Sequence, residues 1–157
     1  MLHAAVHRAP PGSIIVVESG DLDHALAGGN VCAVAHRRGV AALVVDGVIR
    51  DIAEVRQIAF PVFGRGIHPY PAAKTTAHRL PLDEPIHCAD VAINAGDAVL
   101  ADEEGIVVVP KADIDRVVAE GLARLAKEAT QSLPEWEVAH RKRIDEILAE
   151  KVPPSAE

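Results

Sequence analysis

With 157 residues the chain is about one domain long, and a domain of that size buries roughly 70% of the surface its unfolded form exposes. Hydrophobic residues make up 49% and charged residues 25%, while aromatics at 3% leave Val, Ile, Leu and Ala to build the core; such a balance excludes an intrinsically disordered chain. The net charge is −7 and the basic residues are dispersed rather than clustered, which argues against nucleic acid as a partner.

No apolar stretch reaches the length of a membrane span, and the opening MLHAAVHRAPPG lacks the apolar region and cleavage site of a signal peptide, so the expectation is a cytoplasmic protein with no membrane partner. Cys32 and Cys88 fall outside any CxxC spacing. Two unpatterned cysteines suit a reducing compartment and read as packing residues.

Taken in chain order, LHAAVHRA reads as the last turns of a helix. The run SIIVVES at 13–19, introduced by Pro10-Pro11-Gly12 and ended by Ser19-Gly20-Asp21, predicts a buried strand. Beyond polar turn residues and the Gly28-Gly29 pair, Val31, Val34 and Ala35 set a helical stripe that closes on basic residues and Gly39. AALVVDG is a second strand, DIAEVRQIA a short helix and PVFGRG a third strand, and this alternation implies parallel βαβ crossovers.

Between 66 and 97 the four prolines Pro69, Pro71, Pro81 and Pro85 and short apolar runs such as IHCADVAI predict loops and antiparallel strands. The stretch NAGDAVLADEEGIVVVP, with turns at Gly96-Asp97 and Glu104-Gly105, predicts a hairpin. From Ala112 the stripe Ile114, Val117, Val118, Leu122, Leu125 predicts an amphipathic helix that Pro134 breaks, and a more charged helix follows whose Trp136, Ile144, Ile147 and Leu148 need a partner surface. The fold class is therefore α/β, with central parallel βαβ units, an added antiparallel hairpin and C-terminal helices. We read one domain over 1–157, its core at 1–130 and a helical extension at 131–157.

In an open α/β sheet the loops after the strands emerge at the carboxyl edge, where ligands bind. Those loops here carry Gly28-Gly29-Asn30-Val31 and Arg50-Asp51. Glycines at the mouth of a helix let N–H groups face an anion. A guanidinium fork suits a carboxylate or enolate, and a carboxylate suits a hard divalent cation. Together they fit a 2-oxo acid bound to Mg2+ or Mn2+. The plainer alternative stands beside it: Asp51 followed by Glu54 also fits a helix cap with its reciprocating residue, and Gly28-Gly29-Asn30 also fits a turn and cap.

Other candidates carry less. The eight histidines form neither an HxH nor an HExxH motif, so solvated or core imidazoles are expected rather than a histidine metal site. Lys74 is a candidate for assisting an oxyanion. The acidic turn Asp102-Glu103-Glu104 is most simply a polar hairpin tip, with reach toward a neighbouring subunit's site as the alternative. There is no GxSxG or Walker pattern, and GGN lacks the third glycine of a dinucleotide fingerprint.

Gly29, twenty intervening residues, Arg50-Asp51, two more and then Glu54 resembles the G-x20-R-D-x2-E/D signature of the divalent-metal-dependent 4-hydroxy-4-methyl-2-oxoglutarate aldolases within the RraA-like family. The likeness runs from about Leu2 to Lys127, supported by SIIVVESGD, ALAGGN, RRGVAALVVDGVIRD, FPVFGRG and GDAVLADEEGIVVVP. It implies a swivelling β/β/α fold. It implies pyruvyl carboxylate binding by the backbone of Gly28, Gly29, Asn30 and Val31, substrate and enolate binding by Arg50, and ligation of Mg2+ or Mn2+ by Asp51. The activity implied is cleavage of a 4-hydroxy-2-oxo acid to pyruvate, with oxaloacetate decarboxylation beside it, in a homotrimer or hexamer.

Members of that family usually carry several dozen further residues before LHAAVHRA, so the chain is expected to be N-terminally short. An inactive truncated paralogue and a non-catalytic inhibitor of RNase E are the competing expectations; proteins of the inhibitor branch often lack the aspartate that is present here as Asp51. A phosphohistidine-type swivelling domain would need a histidine in a Gly-rich Ser-His turn, and the sequence has none.

Overall fold

The computed structural model describes residues 1–73 and 82–151. It divides into two compact units, Met1–Ala112 and Asp113–Glu157. The first opens with α1 (Leu2–Arg8) and continues β1 (Ile14–Val17), α2 (Gly29–Arg37), β2 (Ala42–Ile49), α3 (Ile52–Gln57) and β3 (Val62–Ile67). Its strands form a parallel sheet in the order β1-β2-β3, as the alternating pattern predicts.

The centre of that sheet is β2, buried at every one of its eight positions. A parallel strand covered on both faces selects a continuous β-branched and aliphatic run, and ALVV is one. Leu43 is wholly buried, a burial worth about 1.5–3 kcal/mol. Around it pack Val6 of α1, Cys32 and Ala35 of α2, Val45 and Ile49 of β2, Val55 of α3 and Phe60. Cys32 is thus the packing residue expected, and Cys88 is partly buried and free.

The first strand is shorter and less buried than the sequence suggests. Only Ile15 among its four residues is buried, because β1 pairs on one side only and stands at an edge of the sheet. Hydrophobicity foretold a strand, but its place in the sheet set its burial.

Two antiparallel ladders complete the first unit: β4 (Ile86–Cys88) with β5 (Val91–Ile93), and β6 (Ala98–Ala101) with β7 (Ile106–Val109). Both were expected from the proline-rich middle and the GDAVLADEEGIVVVP stretch. The turn between β4 and β5 is Ala89-Asp90, with φ of 48° and 68°, the twist a tight two-residue hairpin requires. Asp97 ties the second ladder down by accepting hydrogen bonds from the N–H groups of Asn94, at 2.8 Å, and Lys111, at 2.9 Å. These bonds, Asn94 first, hold its carboxyl below the usual range. At the β6–β7 tip, Asp102 Oδ1 accepts from the N–H groups of Glu104 and Gly105, a polar turn.

The second unit holds α4 (Ile114–Ala129) and α5 (Leu133–Lys151). Pro134 does not break a continuing helix. The first helix has already ended, and Pro134 lies in the first turn of the next, where its missing N–H has no intrahelical acceptor to lose. The start of α5 is a capping box: Ser132 N–H and Oγ both bond Glu135 Oε2, at 2.9 and 2.7 Å, and Glu135 N–H reaches back to Ser132 Oγ at 3.5 Å. Trp136, Ile144, Ile147 and Leu148 are all more than a third exposed. Among the described residues no helix is long and apolar enough to cross a membrane.

Candidate functional site

The end of β2 is where the chain gathers. After Val45 the strand carries a bulge that resumes at Val48. Gly47 occupies it because a Cβ there would lie 2.9 Å from the carbonyl oxygen of Asp21. The loop leading to α2 therefore lies against β2: Leu26 N–H bonds Val48 O at 3.0 Å, Arg50 N–H bonds Ala27 O at 3.0 Å, and Ala27 bridges Ile49 in parallel. On the other side His68 N–H bonds Ile49 O at 2.9 Å, and Ala25 bridges Pro71. Three segments thus converge at the carboxyl edge of the sheet.

Asp51 occupies the N-cap position of α3, yet its side chain makes no bond to that helix. Its backbone is left-handed, φ 60° and ψ 39°, where a capping residue is normally extended. That conformation costs a non-glycine residue on the order of 1 kcal/mol and marks a position over-determined by its surroundings. It turns the carboxylate to the neighbouring helix, where Oδ2 accepts the N–H of Gly29 at 3.0 Å. The cap expected for α3 is instead a cap on α2, and Glu54 does not reciprocate it. Glu54 lies instead beside Gly29.

The two glycines are what let these turns meet. A Cβ on Gly28 would collide with Asp51 Oδ2 and come within 2.9 Å of Arg50 Cγ and 3.0 Å of Arg50 Cζ; one on Gly29 would lie 2.9 Å from Glu54 Oε2. Arg50 Nε stands 3.4 Å from Asp51 Oδ2, and both side chains are about a third exposed, at 31% and 38%. Gly28, Gly29, Arg50 and Asp51 are therefore brought together. Asn30 and Val31 take part through their backbone only, as first-turn residues whose N–H groups have no intrahelical acceptor; their side chains border a separate hollow against α1.

Beneath the turn, Cys32 is fully buried. Burial first, and the Asp51 carboxylate second, push its thiol up to about 11, so it stays protonated and acts as packing. Asp51 Oδ2 is engaged by the α2 amide, and Glu54 brings a second carboxylate to Gly29. Hard oxygen donors of this kind suit Mg2+ or Mn2+, which one or two carboxylates hold together with water and substrate oxygens. Among the described residues no group of three or more His, Cys, Asp or Glu is placed to hold a metal ion. Lys74 lies outside the described residues.

Sequence reasoning passed over Asp46 and Arg65. Asp46 is buried at 8% exposure in the centre of β2. Its Oδ1 accepts no hydrogen bond of good angle but is in ion-pair contact with the Arg65 guanidinium of β3, and its Oδ2 accepts the N–H of Ala89 at 3.3 Å. Only the aspartate of this pair is buried; the Arg65 side chain is 46% exposed, and its guanidinium supplies the charge partner that a buried carboxylate needs. The signal available was an aspartate inside the apolar run VVDGVI.

A family model described as RraA-like, Aldolase/RraA, matches residues 1–108. A Halalkalibacterium halodurans protein named "Putative 4-hydroxy-4-methyl-2-oxoglutarate aldolase" is 35% identical over 125 residues, covering 79% of this chain and 59% of that protein. A 4-hydroxy-4-methyl-2-oxoglutarate aldolase of Thermus thermophilus is 32% identical over 101 residues, covering 64% of this chain and 60% of the enzyme. Among solved structures, Streptomyces coelicolor RraAS2, described as an unusual member of the RNase ES inhibitor RraA protein family, superposes with a TM-score of 0.72 at 29% identity, over 90% of this chain and 68% of that one. The chain spans about three-fifths of the length of these two curated relatives.

Proposed function

The chain belongs to the RraA-like family, and from that premise we propose that it is a divalent-metal-dependent lyase of the 4-hydroxy-4-methyl-2-oxoglutarate aldolase type. The observation that carries the reading is the left-handed Asp51, which joins the Arg50-Asp51 turn to the N-terminus of α2 through Gly29. The names of the Halalkalibacterium and Thermus relatives support it.

In this reading the free first-turn amides of α2 receive the carboxylate of a 2-oxo acid, where backbone N–H groups and the helix dipole favour an anion. Arg50, anchored beside Gly28, presents its guanidinium to the same substrate and stabilises the negative charge that builds on the oxo oxygen. Asp51 would hold Mg2+ or Mn2+, with Glu54 close enough to support it, and the cation when bound would polarise the keto group. Cleavage breaks the bond between C3 and C4. Its electron pair passes into the pyruvate enolate, the 4-hydroxyl becomes a carbonyl as it loses its proton, and C3 gains one. Oxaloacetate decarboxylation, which leaves the same enolate, belongs to the proposal as a side activity, and so does assembly as a trimer or hexamer.

The RraA likeness supports a second reading, a non-catalytic inhibitor of an RNase E-type ribonuclease. The presence of Asp51, with the carboxylate turned into the site, favours chemistry. The test is pyruvate release from 4-hydroxy-4-methyl-2-oxoglutarate and from oxaloacetate with Mg2+ or Mn2+. Asp51→Asn keeps an oxygen for Gly29 but loses the charge, and is expected to cost about 10²–10³-fold in kcat with the melting temperature little changed. A wild type inactive on both substrates overturns the lyase reading, and inhibition of RNA cleavage would then support the second.

A further inference from the structure

A concavity of about 180 Å³ lies between α1 and α2, lined by His3, Val6, His7, Asn30, Val31 and Val34. We propose that it is a binding site for a borderline divalent transition ion of the Zn2+ class, held by the imidazoles of His3 and His7 with Asn30 as an oxygen donor from across the hollow.

His3 and His7 stand four residues apart on one helix, the separation that places side chains on the same face with Cβ atoms about 5–6 Å apart. It is also the spacing of the two zinc-binding histidines in helical metalloprotease motifs. Both are exposed, and both border the same hollow. Its floor is the buried Val6 and the partly buried Val31 and Val34, an apolar base that limits competing water on one side. No carboxylate lines the hollow. A neutral nitrogen set with one amide oxygen disfavours Mg2+ and Ca2+ and favours Zn2+, Ni2+ or Cu2+.

The frame is fixed before any ion arrives. Arg38, just past α2, donates from Nε to Val6 O at 3.0 Å and from Nη2 to His7 O at 2.6 Å, holding the end of α1 against α2. The positive end of the α2 dipole opposes a cation, but Asp51 already supplies a carboxylate to the first amide there. The hollow is also distinct from the Arg50-Asp51 turn. At 3.6 residues per turn, Asn30, Val31 and Val34 share one side of α2, whereas Gly29 and Cys32 lie on the other.

Untagged full-length protein, in buffer containing excess Mg2+ to occupy any site at Asp51, is titrated with Zn2+ by calorimetry, and the histidine ring signals are followed by NMR. One ion is expected, shifting two of the eight imidazoles and raising the melting temperature, since binding to the native state alone stabilises it. His3→Ala and His7→Ala should each weaken binding about tenfold or more, the loss produced even by outer-shell partners of metal sites, and Asn30→Ala should weaken it less. Both histidines are exposed and alanine is the strongest helix former, so the two histidine variants keep the fold, and unchanged pyruvate release in those two separates this site from the proposed lyase centre. The proposal is overturned if Zn2+ in molar excess does not bind, or if a variant carrying both His3→Ala and His7→Ala binds it as the wild type does.

Discussion

In the first unit β2 buries all eight of its residues, whereas in the second α4 buries none of its sixteen. The sheet is held by contacts between residues far apart in the chain, with β1 and β3 flanking β2 in parallel register. The helices show local devices instead. Arg116 pairs with Asp113 and Glu120, Arg124 with Glu128 and Arg141 with Glu137, each three or four residues away and all exposed; pairs of this kind contribute only about 0.3–0.5 kcal/mol each. The lesson is that one chain contains a region whose shape is decided by tertiary packing and another whose helices are written locally, and the candidate lyase site belongs to the first.

The sharpest test of that contrast is Leu43→Ala. Emptying a wholly buried position should cost about 2–5 kcal/mol. Amide hydrogen exchange should then show protection falling along β2 and its neighbours while α4 and α5 keep theirs. Equal loss in both regions would mean that the helices draw on the sheet for their stability.

Gly28→Ala probes the meeting of the two turns. The added methyl has to displace Asp51 Oδ2 or the Arg50 side chain, an overpacking expected to cost about 1–3 kcal/mol in thermal or urea unfolding. Backbone NMR shifts should centre on residues 28–30 and 50–52. A variant as stable as wild type, with an unmoved Asp51, would show that the turn is looser than its contacts imply.

Ser132→Ala should have the smallest effect. Losing the cap hydroxyl is expected to lower the stability of α5 by about 1 kcal/mol, read as fraying of its first turn by carbon-13 shifts, with β2 unaffected. The N–H and then the hydroxyl of Ser132 hold the Glu135 carboxyl below its ordinary value. A carboxyl depressed on folding contributes stability that is present above its unfolded pKa and lost as pH falls through the lowered value. The variant keeps the N–H bond, so the acid sensitivity of this cap should shrink without vanishing.

Much of the first unit was legible because βαβ spacing is a one-dimensional signal: each strand is a short apolar run, each helix a stripe, and parallel pairing follows from the length of the crossovers. Burial of β1 was not, since SIIVVES reads the same at an edge or a centre. The role of Asp51 was half legible. Its place at the mouth of α3 could be read, but which helix it caps depends on a left-handed backbone and on glycines twenty-two residues away. The Asp46–Arg65 pair needed cross-strand neighbours, and the spacing of His3 and His7 had no meaning until α2 stood opposite.

The sequence by itself determined the order and type of the elements, the meeting of chemistry-bearing loops at one edge of a parallel sheet, and membership of a family, because periodicity and spaced motifs are properties of neighbours along the chain. Only the tertiary structure decided where the Asp51 carboxylate points, which strand lies at the edge, and that two histidines share a hollow with Asn30. Those facts are set by directions in space, which the backbone fixes only when distant segments pack and exclude one another.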